Sequence, residues 1–107
     1  MPTGPTVASI SVDAVPPEGE AFVIKLEVGT PYQCDTGEWA CPIALGGLDD
    51  RLSEIHGENS FQALCLAIRL VQDLLQGFRE RGGKLLMGTE DFPREAYALR
   101  SVIPPAK

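Results

Sequence analysis

The first half of the chain alternates apolar and polar residues, and this pattern predicts strands. Apolar side chains recur at every second position from Ala8 to Ala14 and again from Phe22 to Val28. The polar residues between them fall on the other face, which is typical of an antiparallel sheet with one solvated side. The connecting segment contains Pro16, Pro17 and Gly19, which favour a tight turn, so the two strands are predicted to form a hairpin.

A third strand is predicted from Trp39 to Leu45, because apolar side chains again occupy alternate positions there. Pro42 lies within this run and has no N–H to donate to a neighbouring strand. The strand is therefore expected at an edge of the sheet, or with a bulge or an interruption at Pro42. A short fourth strand is predicted over Lys84–Gly88.

The strongest pattern is that of a helix from Asn59 to Arg81. Projected at 100° per residue, its apolar residues share one arc that is about 160° wide. These residues are Ala63, Leu64, Ala67, Ile68, Leu70, Val71, Leu74, Leu75 and Phe78. Asn59 and Gln62 form a capping-box pattern at the start, and Gly82 and Gly83 mark the end.

The width of that arc predicts a second contact for the helix. An amphipathic stripe starts at about 100°, which one sheet face is enough to cover. The remainder is covered either by other residues of the chain or by a second copy, and both explanations stay open. The residues that could cover it within one chain are Trp39, Tyr97, Leu99, Val102 and Ile103.

Together these elements predict one two-layer α+β domain over residues 1–107. In the predicted fold, an antiparallel sheet of three to four strands packs against one long helix, with the core at about residues 7–88. Residues 89–107 form a tail, in which a short helix is predicted over Asp91–Arg100 with Pro93 in its first turn.

Length and charge exclude several classes of function. The chain has 107 residues, 15 of them acidic and 9 basic, and a net charge of −6. Nucleic-acid binding is excluded, since it is driven by Lys and Arg side chains that displace counterions from phosphates. No stretch approaches about 18 consecutive apolar residues, and the first twenty residues lack a signal-peptide pattern. We therefore expect no membrane span and a cytoplasmic location.

The three cysteines are expected to be free thiols. Cys34, Cys41 and Cys65 are an odd number, and the cytosol keeps thiols reduced. Six residues separate Cys34 from Cys41, whereas paired cysteine ligands of structural zinc are about two to four residues apart. We accordingly expect no metal and no cofactor.

Candidate chemistry concentrates in residues 46–58, which include four carboxylates and the only histidine, His56. Asp50 or Glu54 could form an acid–base pair with His56, because a nearby carboxylate orients an imidazole. Cys41 or Cys34 could act as a nucleophile beside His56, although no local motif joins them. The alternative interpretation is a solvated loop, whose acids are favoured near a helix start whatever the function.

Four residues are candidate contacts for a protein partner, namely Trp39, Gln62, Arg69 and Gln72. Trp39 is either a core residue or an exposed anchor. Gln62 either completes the helix cap or is an exposed functional amide. Arg69 and Gln72 lie on the polar arc of the helix.

Three motifs stand out in about the middle three-fifths of the chain: Trp39-x-Cys41-x-Ile43, Gly47-Leu48 and Gly57-x-Asn59-Ser60-x-Gln62-Ala63-Leu64-x-Leu66-Ala67. With these motifs the chain resembles a family of small bacterial proteins known only as a domain of unknown function. The resemblance implies a bacterial origin and a common fold, and it carries no activity, cofactor or catalytic residue. Within this stretch, Gly57 is expected to take a positive φ that turns the chain into the helix.

Two functions follow as hypotheses. The first is a non-enzymatic protein-interaction or accessory domain, with a homodimer as one form, because the chain is acidic and shows no catalytic spacing. A subunit of a larger assembly is a variant of that hypothesis. The alternative is a small enzyme or ligand-binding protein that uses the acidic and histidine segment 46–58, with its small-molecule ligand left unknown.

Overall fold

The computed structural model describes residues 5–51 and 54–93, and within them it contains seven strands and one helix. The strands are β1 (Thr6–Val15), β2 (Phe22–Gly29), β3 (Tyr32–Gln33), β4 (Trp39–Gly46), β5 (Glu54–Gly57), β6 (Lys84–Met87) and β7 (Glu90–Asp91), and the helix is α1 (Ser60–Glu80). Every strand pair is antiparallel.

The predicted fold, with three to four strands against one long helix, is wrong, because the sheet already has seven strands within the described residues. Their order is β3-β4-β2-β1-β6-β7, and β5 pairs with β4. The predicted strands are all present, whereas β3, β5 and β7 were not predicted. β3 and β7 have only two residues each, and β5 has Ile55 between two polar residues. Such segments have no hydrophobic period, and only pairing with a neighbouring strand makes them extended.

The strand β4 is the junction of the sheet. Trp39 and Ala40 pair with β3, Ile43–Gly46 pair with β2, and Trp39–Pro42 pair with β5. Pro42 lies between the residues that pair with β3 and those that pair with β2, but β4 continues through it and pairs it with Glu54 of β5, so the predicted interruption is absent. Because β4 has partners along both edges, it is a central strand and not the edge strand that one of the alternatives predicted.

The helix α1 covers one face of the sheet, and both predicted caps are present. The Asn59 side chain accepts a hydrogen bond from the N–H of Gln62 at 2.8 Å. At the other end, the N–H of Gly83 donates to the carbonyl of Phe78 and that of Gly82 to the carbonyl of Arg79, both at 3.0 Å, which is a Schellman motif. Gly82 has the positive φ of +99° that this motif requires.

The core lies between α1 and the inner face of the sheet. The buried core residues are Val12, Ala14, Ile24, Leu26, Val28, Cys41, Ile43, Leu45, Ala63, Ala67, Val71, Leu75, Phe78, Leu85 and Phe92. Alternate residues of the strands and every third or fourth residue of the helix thus meet, as the hydrophobic pattern predicted. Among the residues that the structure describes, no helix has the length and apolarity to cross a membrane.

Gly57 is needed for close packing and not for its backbone angle. Its φ is not positive, so the expected left-handed turn is wrong. A Cβ at this position would lie 2.7 Å from the backbone nitrogen of Ala63. A glycine therefore allows β5 to contact the first turn of α1 directly.

The segment assigned to a tail contributes to the core. Phe92 is 3% exposed, and its N–H donates to the carbonyl of Leu85 at 2.8 Å. Asp91, the first residue of the predicted short helix, lies instead in β7. The rest of that predicted helix, from residue 94 onward, lies outside the described residues.

Candidate functional site

The sheet formed by β3, β4 and β5 has polar side chains from β3 and β5 on the face that points away from α1. Ala40 on β4 pairs with Tyr32 on β3 and with His56 on β5. Directly paired residues project from the same face of a sheet, so all three side chains share one face. The next residue, Cys41, belongs to the core on the opposite face. The sheet itself therefore separates this polar face from the hydrophobic core.

A tight turn between β3 and β4 brings two more polar side chains to this face. The N–H of Cys34 donates to the carbonyl of Glu38 at 2.7 Å, and the N–H of Gly37 donates to the carbonyl of Cys34 at 2.9 Å. Gly37 has a φ of +97°, which glycine adopts without steric cost. The turn thus places Cys34 and Glu38 side by side.

The side chains of this face form a connected cluster, which we call the histidine cluster and define as Tyr32, Cys34, Glu38, Glu54 and His56. The Nδ1 atom of His56 lies 2.5 Å from Glu38 Oε2, and its Nε2 atom lies 3.1 Å from Glu54 Oε2. The Tyr32 hydroxyl donates to Glu54 Oε1. One ligand atom each from Cys34, Glu38 and His56 lies within 4.8 Å of the other two.

Both ring nitrogens of His56 lie close to hydrogen-bond acceptors. Both ring nitrogens face carboxylate oxygens, but a neutral imidazole has only one N–H to donate. A cation bound to one of the two nitrogens would remove this mismatch. The cluster is also accessible, since the side chains of His56 and Glu38 are 43% and 48% exposed.

The carboxylates raise the pKa values of their neighbours. The hydrogen bond to Glu54 is the main cause that raises the pKa of Tyr32 to about 12. The pKa of Cys34 is raised chiefly by desolvation and then by the charges of Glu38 and Glu54. A raised pKa keeps the thiol protonated at neutral pH, which disfavours Cys34 as an unassisted nucleophile.

The structure separates the residues that the sequence grouped as catalytic candidates. Glu54 and His56 are in contact. Cys41 lies on the other face of the sheet, and burial raises the pKa of its thiol, so it cannot act with His56. The Asp50 side chain accepts a hydrogen bond from the N–H of Gly47 at 3.1 Å and holds the turn after β4.

The neighbouring acid, Asp49, has a similar local role. Its side chain accepts from the N–H of Arg51 at 3.1 Å, and this bond, followed by the Arg51 guanidinium, lowers the pKa of Asp49.

Sequence reasoning missed Glu38 and Tyr32 as site residues, and it considered Cys34 only as a nucleophile or as a zinc ligand paired with Cys41. The Asp-Thr-Gly sequence at 35–37 is a turn signal, and a hairpin over 32–39 would have placed Cys34 opposite Glu38. The position of His56 beside them depends on the pairing of β5 with β4, which no local signal shows.

The four candidate interaction residues have different surroundings. Trp39 is half-buried and packs against the core. Gln62 completes the cap, since its Oε1 accepts from the N–H of Glu58 at 2.6 Å, one residue earlier than in the standard capping box. Arg69 is exposed, and Gln72 is half-buried on α1.

One flank of α1 exposes apolar side chains. Phe61 is 74% exposed and Ile68 is 39% exposed, and Cys65 between them is also exposed. These residues are spaced i, i+4 and i+7, so they form a line along the helix. We call this line the helix strip and define it as Phe61, Cys65 and Ile68. Ile68 belongs to the wide apolar arc of the sequence, which the sheet thus covers only in part, whereas Phe61 and Cys65 lie beside that arc.

A shallow groove of about 290 Å³ lies at the other end of α1, between the helix and strands β6 and β7. Its lining includes Arg79, Lys84 and Asp91. The volume is just below the roughly 300–1,000 Å³ of typical small-molecule sites. The groove contains no member of the histidine cluster.

Residues 14–96 match the model of a family described as "Domain of unknown function (DUF6968)", and the chain therefore belongs to this family. The match confirms the predicted resemblance to a domain of unknown function. It includes every residue of the histidine cluster and of the helix strip. Searches of the curated proteins and of the solved structures found no significant match.

Proposed function

We propose that this member of the family is a protein-interaction domain, and that two copies pair through the helix strip. The observation that carries the proposal is the 74% exposure of Phe61. Phe is among the residues most often buried in folded proteins, so its exposure here is unusual. It is also part of a contiguous exposed apolar line, and such a surface marks an interaction site more often than a single exposed residue does.

The chemistry of the strip favours a second copy as its occupant. Phe61, Cys65 and Ile68 carry no charge, and neither does Gln72 one turn further along. Two such strips can pack without placing like charges in contact, although each chain has a net charge of −6. The long-range repulsion between the two chains is screened at physiological salt, where the Debye length is about 8 Å. Arg69 borders the strip and would lie at the rim of the contact.

The expected contribution of Phe61 follows from its exposure. Burying an exposed Phe side chain stabilises a contact by about 1.5–3 kcal/mol, and about three-quarters of this side chain remains to be buried. A symmetric dimer contains the residue twice, so its loss should cost about 2–4 kcal/mol. This corresponds to a Kd roughly 30- to 700-fold higher.

Sedimentation equilibrium across a range of protein concentrations tests the proposal. We expect a concentration-dependent dimer in the wild type and a monomer for Phe61→Ser combined with Ile68→Ser. Val23→Ser is the matched control, because Val23 is an apolar β2 residue with 52% exposure, and this variant should remain dimeric. A wild type that is monomeric throughout, or a double variant that dimerises normally, would refute the proposal.

The reactivity of Cys65 distinguishes other occupants of the strip. Maleimide labelling of Cys65 should slow as the protein concentration rises, since the dimer buries the thiol. If labelling is slow at every concentration and the protein is monomeric, the strip is covered by the protein's own chain. If labelling is fast at every concentration, the strip is uncovered in the isolated protein, and it either has no occupant or binds a different partner, such as a basic protein attracted by the acidic charge. Either of these two results contradicts self-association.

A location in the bacterial cytoplasm is part of this proposal. The three free cysteines support it, because a reducing compartment keeps thiols unpaired. Fractionation of expressing cells, with immunodetection of the protein, checks the location.

A second function, small-molecule binding, is favoured by the contact between Glu54 and His56. Asp50 and Cys41, which were grouped with them, are not part of that contact. The ring signals of His56 in an NMR screen against a metabolite library test this alternative, and unchanged signals throughout would count against it.

A further inference from the structure

We infer that Cys34, Glu38 and His56 bind one divalent transition-metal ion on the open face of strands β3, β4 and β5, with Zn²⁺ the best match. The inference is independent of the proposed dimer, since the helix strip lies on α1 across the sheet. It rests on the donor types, on their separation and on the partners of the histidine.

The three donor types are those that zinc prefers. Zinc is bound in proteins by cysteine sulfur, histidine nitrogen and carboxylate oxygen, and this set contains one of each. A thiolate and a carboxylate together balance the two charges of the ion. A hard cation such as Mg²⁺ prefers oxygen ligands, so the sulfur and nitrogen donors select against it.

The separations of the donor atoms fit a tetrahedral site after small movements. Bond lengths of about 2.0–2.3 Å in a tetrahedral zinc site place neighbouring ligand atoms about 3.4–3.6 Å apart. The ligand atoms of Cys34, Glu38 and His56 lie within 4.8 Å of one another. The Glu38–His56 contact of 2.5 Å must open by about 1 Å, and no other pair of ligand atoms has to close by more than about 1.4 Å. Side-chain rotation supplies shifts of this size.

The partners of His56 are those of a metal-binding histidine. A histidine that binds a metal through one ring nitrogen commonly donates its other N–H to a carboxylate, which fixes the ring orientation. Here Nδ1 faces Glu38, and Nε2 lies 3.1 Å from Glu54 Oε2. Tyr32 in turn donates to Glu54. Glu54 and Tyr32 therefore position the ring so that Nδ1 points toward Glu38.

The fourth coordination position would be open to solvent. Among the residues that the structure describes, three protein ligands converge, and His56 and Glu38 are both close to half exposed. A closed structural zinc site has four protein ligands, whereas three ligands leave room for a water molecule or a small anion.

Calorimetric titration of the metal-stripped full chain with ZnCl₂ tests the inference. We expect one ion per chain, and with CoCl₂ a visible spectrum typical of tetrahedral Co²⁺ together with a thiolate charge-transfer band. Cys34→Ser, Glu38→Gln and His56→Asn should each abolish this binding. Circular dichroism of each variant shows whether the fold is retained, and a variant that unfolds is replaced by Cys34→Ala, Glu38→Ala or His56→Phe.

Matched controls separate the site from nonspecific binding. Cys65→Ser removes another accessible thiol and Glu18→Gln an exposed carboxylate, and both should bind Zn²⁺ as the wild type does. Glu54→Gln should weaken binding by about 10- to 100-fold while the Co²⁺ spectrum stays the same, because Glu54 orients the ring without binding the ion. Binding that survives Cys34→Ser, that is lost in Cys65→Ser, or that shows no thiolate band would overturn the inference.

Discussion

Gly57 offers the sharpest test of how the helix meets the sheet, and we predict that Gly57→Ala destabilises the protein. The added Cβ would lie 2.7 Å from the nitrogen and 3.0 Å from the Cα of Ala63. Both are backbone atoms in the first turn of α1, so neither can move aside as the end of a flexible side chain does. Relief requires β5 and α1 to separate by about 0.7 Å, the difference between 2.7 Å and the 3.4 Å at which ordinary contact begins.

The magnitude follows from two opposing effects. Overpacking a close contact costs about 1–3 kcal/mol. Replacing glycine by alanine also restricts the unfolded chain, which stabilises the folded state by about 0.4–1 kcal/mol. The net expectation is a loss of about 1–2 kcal/mol in the free energy of unfolding. In a domain of about this size, each kcal/mol lowers the Tm by about 4–8 °C.

Urea denaturation followed by circular dichroism measures this effect, with Gly46→Ala as the matched control. Gly46 is also a strand glycine, but its Cβ would meet nothing closer than the Lys25 carbonyl oxygen at 3.8 Å, and its φ is not positive. The control should be as stable as the wild type or slightly more stable. The urea midpoint of Gly57→Ala should fall with an unchanged m-value. Equal stability of the two variants would refute the close-contact explanation.

Two further predictions concern the histidine cluster and the helix cap. In a Tyr97→Phe background, absorbance titration of Tyr32 should give a pKa of about 12, and Glu54→Gln should bring it down toward 10.0. The pKa of Tyr32 is near 10 in the unfolded chain and about 12 in the folded protein. Its contribution to stability is therefore present below pH 10 and is lost as the pH rises through 12. The Tyr32→Phe variant should not show this decrease in stability. A Tyr32 pKa that Glu54→Gln leaves unchanged would disprove the role of that hydrogen bond. Asn59→Ala should lower the free energy of unfolding, measured by urea denaturation, by about 1 kcal/mol, because the Gln62 N–H loses its acceptor. Asn59→Ser should retain most of the stability. Equal stability of the two variants would argue against the cap.

The parts of the fold that the sequence predicted correctly are those with local signals. The helix bounds, for example, follow from Asn59 at one end and Gly82 at the other, together with a 3.6-residue hydrophobic period. The β1–β2 hairpin similarly follows from a two-residue period on each side of a proline and glycine turn. Both kinds of signal act over a few neighbouring residues, so they can be recognised without knowing the rest of the chain.

The number of strands was underestimated because the missing strands have no signal of their own. Ile55 is the only strongly apolar residue of β5, and the strand forms because all four of its residues pair with β4. The pattern of the helix likewise could not show which part of its apolar arc would be covered. Of that arc the sheet buries Ala63, Ala67 and Val71 and leaves Ile68 exposed, because a flat surface contacts only one side of a cylinder.

Of the candidate site, the sequence by itself determined that His56 lies close to carboxylates, since Glu54 is two residues away. Only the tertiary structure decided that Glu38 and Cys34 are its other neighbours and that Cys41 is excluded. The physical reason is strand register: a shift by one residue between β4 and β5 would move His56 to the core face and remove the cluster. That register is set by the whole core under α1, and no short segment of the chain contains it.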